Sequence, residues 1–145
     1  MFVEQILPRA RERLVVVDAG TPVRDVADLM AKSRIDMLVV CNAGAVAGVV
    51  TKTDIIAQIG RGQSGFGAAV ETIMTRHVTH CRATDLLRDV WQVMKECGLH
   101  RIPVVDEGHN PIGIVYTRDA LQVLLSEVEI EDELLRDYVS GVGYR

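Results

Sequence analysis

Residues Gly48–Asp54 read GVVTKTD, and residues Gly113–Asp119 read GIVYTRD. The same seven-residue frame, an apolar strand end running into T-x-x-D or Y-x-x-D, occurs twice in 145 residues. Working outward from it, other pieces also recur. V-E-x-I-L (Val3–Leu7) returns as V-E-T-I-M (Val70–Met74), and Thr21, Arg24, Asp25, Val26 return as Thr84, Arg88, Asp89, Val90 after one inserted residue. Met30 returns as Met94, and Gly44 as Gly108. The shift is 67 from Val3 to Val70, 63 from Thr21 to Thr84 and 65 from Gly48 to Gly113, so short insertions account for the drift. Two copies of one unit is the economical reading, and such repeats decide a fold before any motif does.

Each copy has a legible period. In copy one LVVV (Leu14–Val17) is a short strand. Thr21-Pro22 predicts a cap followed by proline in the first helical turn. Val23, Val26, Ala27 and Met30 then fall on one helical face. MLVVC (Met37–Cys41) and VAGVV (Val46–Val50) flank the turn Asn42–Gly44 and predict a hairpin, followed by a helix over 51–59. Copy two gives VTHC as a strand, a helix from Asp85 to Cys97, RIPVV, a turn over 106–110, PIGIV and a helix from Thr117. The order β-α-β-β-α therefore appears twice, which places the chain in the α/β (α+β) class with buried strands and helices on one sheet face.

Gly60–Gly65, GRGQSG, matches the dinucleotide fingerprint G-x-G-x-x-G, which requires a strand before it. The preceding IIAQI aligns with the helical segment after Asp119, so the strand is missing. These glycines end a helix and link the copies. The expected organisation is copy one over 1–61, a Gly-rich linker over 62–69, copy two over 70–126 and an acidic, amphipathic helical tail over 127–145.

Composition narrows the function classes. Apolar residues make up 48% and aromatics 4%, so the core is aliphatic. Net charge is −4 and the one dense basic cluster, Arg9, Arg11 and Arg13, reads as a solvated helix end, which argues against nucleic acid. No run approaches the roughly 18 apolar residues of a membrane span, and the N-terminus lacks a signal-peptide core, so a cytoplasmic location is expected. Cys41, Cys81 and Cys97 form no C-x-x-C pair and predict neither a disulfide framework nor a zinc site. His77 and His80 would point to opposite faces of a strand, which disfavours joint metal ligation. Ser64 has no His–Asp arrangement to activate it, and Trp91 sits on a helix face as a packing residue.

The duplicated unit, with RIPVVD in its middle and G-h-V-x-x-x-D at its end, resembles the CBS-domain family, and two repeats in one chain resemble a CBS pair, or Bateman module. The likeness runs over about residues 3–126; LHRIPVVDEGHNPIGIVYTRD and AVAGVVTKTD carry it. It implies two repeats packed about a pseudo-two-fold axis, with two clefts between them that take adenosine-containing ligands: AMP, ADP, ATP, NAD or S-adenosylmethionine. It implies a regulatory nucleotide sensor rather than an enzyme, a disc-like homodimer, and an unknown protein that the module regulates. The alternative is a ligand-free dimerisation or protein-interaction subunit.

Thr51, Thr53 and Asp54 stand where a strand meets a helix, and two readings apply. A helix N-terminus welcomes an anion, a Thr hydroxyl donates to phosphate and an Asp accepts from ribose hydroxyls. The same T-x-x-D is also a capping box. By resemblance, the binding residues are Thr51, Thr53 and Asp54 from copy one with His100, Arg101 and Pro103 from copy two, Arg101 supplying a planar donor fork. His100 and Arg101 read by themselves as solvated loop residues. In the second cleft Asp119 is kept, but Tyr116 replaces the Thr and either fills the cleft or stacks on a base. Asp36-Met37 stand where copy two has His100-Arg101. One competent site per chain is expected, with no catalytic and no metal residues. Because Asp36 leaves only one repeat to supply cations, a triphosphate is disfavoured.

Overall fold

A computed structural model describes residues 1–143; Tyr144, Arg145 and the side chains of Gln63, Ser64 and residues 138–143, including Tyr138, lie outside the described part. The chain forms α1 (Leu7–Arg13), β1 (Val16–Asp18), α2 (Val23–Ser33), β2 (Met37–Asn42), β3 (Ala45–Thr51), α3 (Lys52–Ile59), α4 (Leu87–Cys97), β4 (Arg101–Val105), β5 (Pro111–Tyr116) and α5 (Thr117–Gly143). Short 3-10 turns cover Val3–Ile6, Gln63–Gly67 and Val70–Thr72. β1 pairs parallel with β2, and β2 antiparallel with β3. β4 and β5 form the matching hairpin of copy two.

Both hairpins are buried on two faces, which explains their nearly unbroken apolar sequence. Leu38, Val40 and Val50 face Val26 and Met30 of α2. Their alternates Met37, Val39, Cys41 and Val49 face Ile114 and Tyr116 of the other hairpin. In copy two Ile102, Val104 and Val115 pack under Val90 and Met94 of α4. The expectation of helices on one sheet face holds, and the opposite face is closed by the other repeat.

The repeats are not self-contained. Val3, Ile6, Leu7 and Ala10, which begin copy one, belong to the core of copy two. Val70 and Met74, which begin copy two, belong to the core of copy one. Backbone bonds fix the crossing at both ends: Val3 N–H donates to Asp85 C=O at 2.9 Å, and Val70 N–H donates to Thr21 C=O at 2.7 Å. The repeated V-E-x-I-h motif is thus a leader that each copy lends to the other, as a pseudo-two-fold relation between copies requires.

The repeated glycines Gly48 and Gly113 mark where these leaders cross. A Cβ on Gly113 would lie 2.8 Å from Ala10 Cβ of α1, and one on Gly48 would lie 2.6 Å from the Thr75 carbonyl oxygen. Only glycine admits another backbone at that range.

Two local expectations need correction. VTHC is not a strand: only Cys81 bridges, in parallel, to Val104, with its N–H donating to Pro103 C=O at 2.9 Å. The opposite-face argument for His77 and His80 therefore lapses, and His80 instead stands edge-on to His109 with ring centroids 5.0 Å apart. Thr21 does not cap α2; Pro22 occupies the cap position, and the Thr21 carbonyl serves the leader contact instead. The acidic tail continues α5 without a break over 27 residues, about 40 Å of helix at 1.5 Å per residue.

Candidate functional site

Strand β3 ends and α3 begins at Thr51, and the local sequence dictates the geometry. Thr51 Oγ1 accepts from Asp54 N–H at 3.4 Å, while Asp54 Oδ2 accepts from Thr51 N–H at 2.9 Å and from the Thr51 hydroxyl at 3.1 Å. The capping box is therefore made. It directs Asp54 back onto Thr51. Asp36, one residue before β2, accepts the Lys52 N–H through its carbonyl at 3.0 Å. Thr117 N–H makes the equivalent bond to His100 C=O at 2.9 Å. These two ties bring both loops, Asp36 and His100-Arg101, to the same place between the repeats.

A cavity of about 320 Å³ results, lined by Thr51, Lys52, Thr53, Asp36, His100 and Arg101, among others. Four of the six residues singled out from sequence meet here: Thr51, Thr53, His100 and Arg101. Asp54 stands behind Thr51 in the cap and does not line it. Pro103 is buried inside β4, its carbonyl held by Cys81.

A second cavity of about 430 Å³ shares Asp36, His100 and Arg101 and continues along Tyr116, Thr117 and Arg118. Tyr116 is 7% exposed and fills the space between the sheets rather than standing free for a base. Three guanidinium groups surround its ring: Arg13 at 4.3 Å, Arg101 at 4.9 Å and Arg118 at 5.6 Å from the centroid. Asp119 is also engaged. Arg13 donates to both its oxygens at 3.1 Å, and Arg9 lies 3.8 Å away. This bidentate bond raises the Arg13 pKa further above its ordinary value. Arg13 is thus not part of a solvated helix end, because α1 is carried across to copy two and lays it against Asp119, while Arg9 and Arg11 stay exposed as the sequence suggests.

The electrostatics of the first cavity also depart from the sequence reading. Lys52 Nζ lies 2.7 Å from Asp36 Oδ1, and Arg101 Nη2 donates to Asp36 Oδ2 at 2.5 Å. The hydrogen bond from Lys52, with Arg101 and Arg118 nearby, holds the Asp36 carboxyl below its usual value despite partial burial. Both repeats therefore supply a cation here, Lys52 from one and Arg101 from the other, each paired with Asp36, while Arg118 lines the second cavity. Lys52 and Arg118 could not be found from motif spacing; each is a helix-start residue that the fold brings near Asp36.

A larger groove of about 590 Å³ lies between α4 and α5, lined by Asp89, Glu127 and Glu131 with Arg88 and apolar residues. Its acidic balance suits a phosphate poorly. Trp91 is half-buried against the copy-two core, with Lys95 over its ring at 5.2 Å. Among the described residues no cluster of three or more metal-ligating side chains is present, and no helix is long and apolar enough to cross a membrane.

The architecture coincides with that of a known family. The CBS-domain profile matches residues 3–61 and 70–126. The chain belongs to the CBS-domain family, with two copies of the domain. A solved structure of CBSX2 in complex with AMP superposes with a TM-score of 0.76 at 26% identity, covering 86% of this chain and 96% of that one. The CBS-domain protein ATU1752 of Agrobacterium tumefaciens superposes at 0.73 with 25% identity, covering 85% and 98%. An uncharacterised protein of Methanocaldococcus jannaschii is 28% identical over 120 residues, 75% of this chain and 43% of that protein. The chain spans less than half the length of this relative and of two others from the same organism.

Proposed function

We propose that this chain is a regulatory module that binds an adenosine-containing ligand between its two CBS repeats and reports it to a partner protein as a small-molecule or energy sensor. The observation that carries the reading is the joint cavity: hydroxyls of Thr51 and Thr53 from copy one share it with His100 and Arg101 from copy two. Support also comes from the AMP complex of a protein of the same fold at 26% identity.

In this reading the ligand phosphate lies at the start of α3, on the Thr53 hydroxyl and on the Thr51 hydroxyl once it turns from Asp54, with Arg101 and Lys52 as counter-charges. Asp54, outside the cavity lining, acts by holding Thr51 in place through the cap. Because the ligand touches both repeats, it biases their packing by its difference in affinity for two arrangements. The second cleft stays unoccupied by nucleotide, since Arg13 holds Asp119 and Tyr116 fills the seat. A homodimer is the assembly we assign to it, and catalysis has no part in the function.

Calorimetric titration with AMP, ADP, ATP, NAD and S-adenosylmethionine tests the proposal. One site per chain is expected for at least one of them, weakened at least tenfold by Arg101→Ala and unchanged by Glu133→Ala on the exposed part of α5. Absence of binding by all five rejects the sensor. The competing reading, a ligand-free interaction subunit, is favoured by one feature: Leu125, Val128, Leu134 and Leu135 on α5 are all more than half exposed.

A further inference from the structure

The phosphate seat already holds an anion of its own. Asp36 lines both cavities and contacts a cation from each repeat, Lys52 at 2.7 Å and Arg101 at 2.5 Å. Its backbone is pinned by the Lys52 N–H, so the carboxylate is placed there by the fold and is not a chance surface contact. Yet the pairing is incomplete. Asp36 takes only one nitrogen of the Arg101 fork, and Arg101 Nε is buried without an acceptor among the described residues. A buried donor left unpaired favours whatever can supply the missing acceptor. A phosphate, with three terminal oxygens, can accept from Nε and Nη2 together.

We propose that Asp36 is an internal competitor for the ligand's phosphate: binding exchanges one anion for another on Lys52 and Arg101, so that Asp36 sets how strongly the site favours phosphorylated adenosyl ligands. The inference rests on the adenosyl-phosphate reading of this cleft. The competition is selective by chemistry. A ligand bearing phosphate must free Arg101 from Asp36 and then endure the displaced carboxylate as a near neighbour. Adenosine makes no claim on the two cations and leaves the pairs intact. Asp36 and Arg101 line both cavities, so the exchange is felt in each.

The test is calorimetry of the full chain, wild type and Asp36→Asn, with AMP and with adenosine at one fixed ionic strength. Asparagine keeps the size and the main-chain contact while removing the charge. The expected result is an AMP affinity about threefold to fivefold higher in Asp36→Asn, the most that loss of partly exposed ion pairs supports, with adenosine changed less than about 1.5-fold. Asp36→Glu, which keeps the charge, should not show the gain. An AMP affinity that is unchanged or weaker in a folded Asp36→Asn protein, or equal shifts for AMP and adenosine, overturns the role of Asp36 while leaving the site reading intact. Failure of both proteins to bind either compound overturns both. Binding of AMP by Asp36→Asn alone supports the competitor in its strongest form.

Discussion

Replacing Gly113 by alanine tests the reciprocal leader packing on which the whole fold depends. The new methyl would meet Ala10 Cβ at 2.8 Å, Ala10 C at 3.1 Å and Ala10 O at 3.3 Å. Ordinary carbon contacts lie near 3.5–4.0 Å, so α1 must lift from β5 by up to about 1 Å. Lifting α1 loosens Ile6, Leu7 and Ala10, all within the copy-two core. Overpacking of this kind costs about 1–3 kcal/mol. At a urea m-value of roughly 2 kcal/mol/M, the midpoint should fall by about 0.5–1.5 M with no change in slope. Gly48→Ala should cost more, because the group in the way is the Thr75 carbonyl oxygen, which belongs to the backbone. Ala10→Gly added to Gly113→Ala should recover part of the loss, limited by about 1 kcal/mol for glycine inside a helix. A Gly113→Ala midpoint within error of the wild type would refute the claim that α1 crosses β5 at that range.

Further outcomes follow from local structure. Arg34 ends α2 in the left-handed region at φ 53°, where its counterpart Gly98 ends α4 at φ 66°; Arg34→Gly should therefore raise stability by about 0.5–1 kcal/mol, read from urea unfolding. Thr51→Ala removes the α3 cap and should cost about 1 kcal/mol, whereas Thr51→Ser should restore it. A thiol reagent at pH 8 should modify Cys97 in the native protein and spare the other two. Cys41 and Cys81 are 3% and 4% exposed, and burial pushes the Cys81 thiol up to about 12. Fast labelling of all three would mean that the core opens readily. The Asp36 carboxyl is depressed in the folded state, chiefly by Lys52, so its pairs stabilise the fold above the usual carboxylate range and that contribution fades as the pH falls through the folded value. The Tm difference between wild type and Asp36→Asn should accordingly be greatest near neutrality and close towards acid. It should be worth no more than about 1 kcal/mol at a partly exposed pair.

What the sequence determined by itself was everything carried by period and repetition. The duplication, the β-α-β-β-α order of copy one, the α-β-β-α order of copy two and the end of the glycine fingerprint as a helix stop all follow from apolar spacing over a dozen residues, which local backbone preferences enforce. The meeting of Thr51 and Thr53 with His100 and Arg101 was expected from the resemblance to the CBS family, not from spacing along the chain. Tertiary structure alone decided the rest. It carried each leader onto the other copy, and so explained why Gly48 and Gly113 are glycines and why Arg13 reaches Asp119. It left Pro103 inside a strand, and it set Asp36 between Lys52 and Arg101. These depend on contacts between residues dozens of positions apart, where no period along the chain records who the neighbour is. Charges above all take their meaning from the partner that the fold brings within a few ångströms.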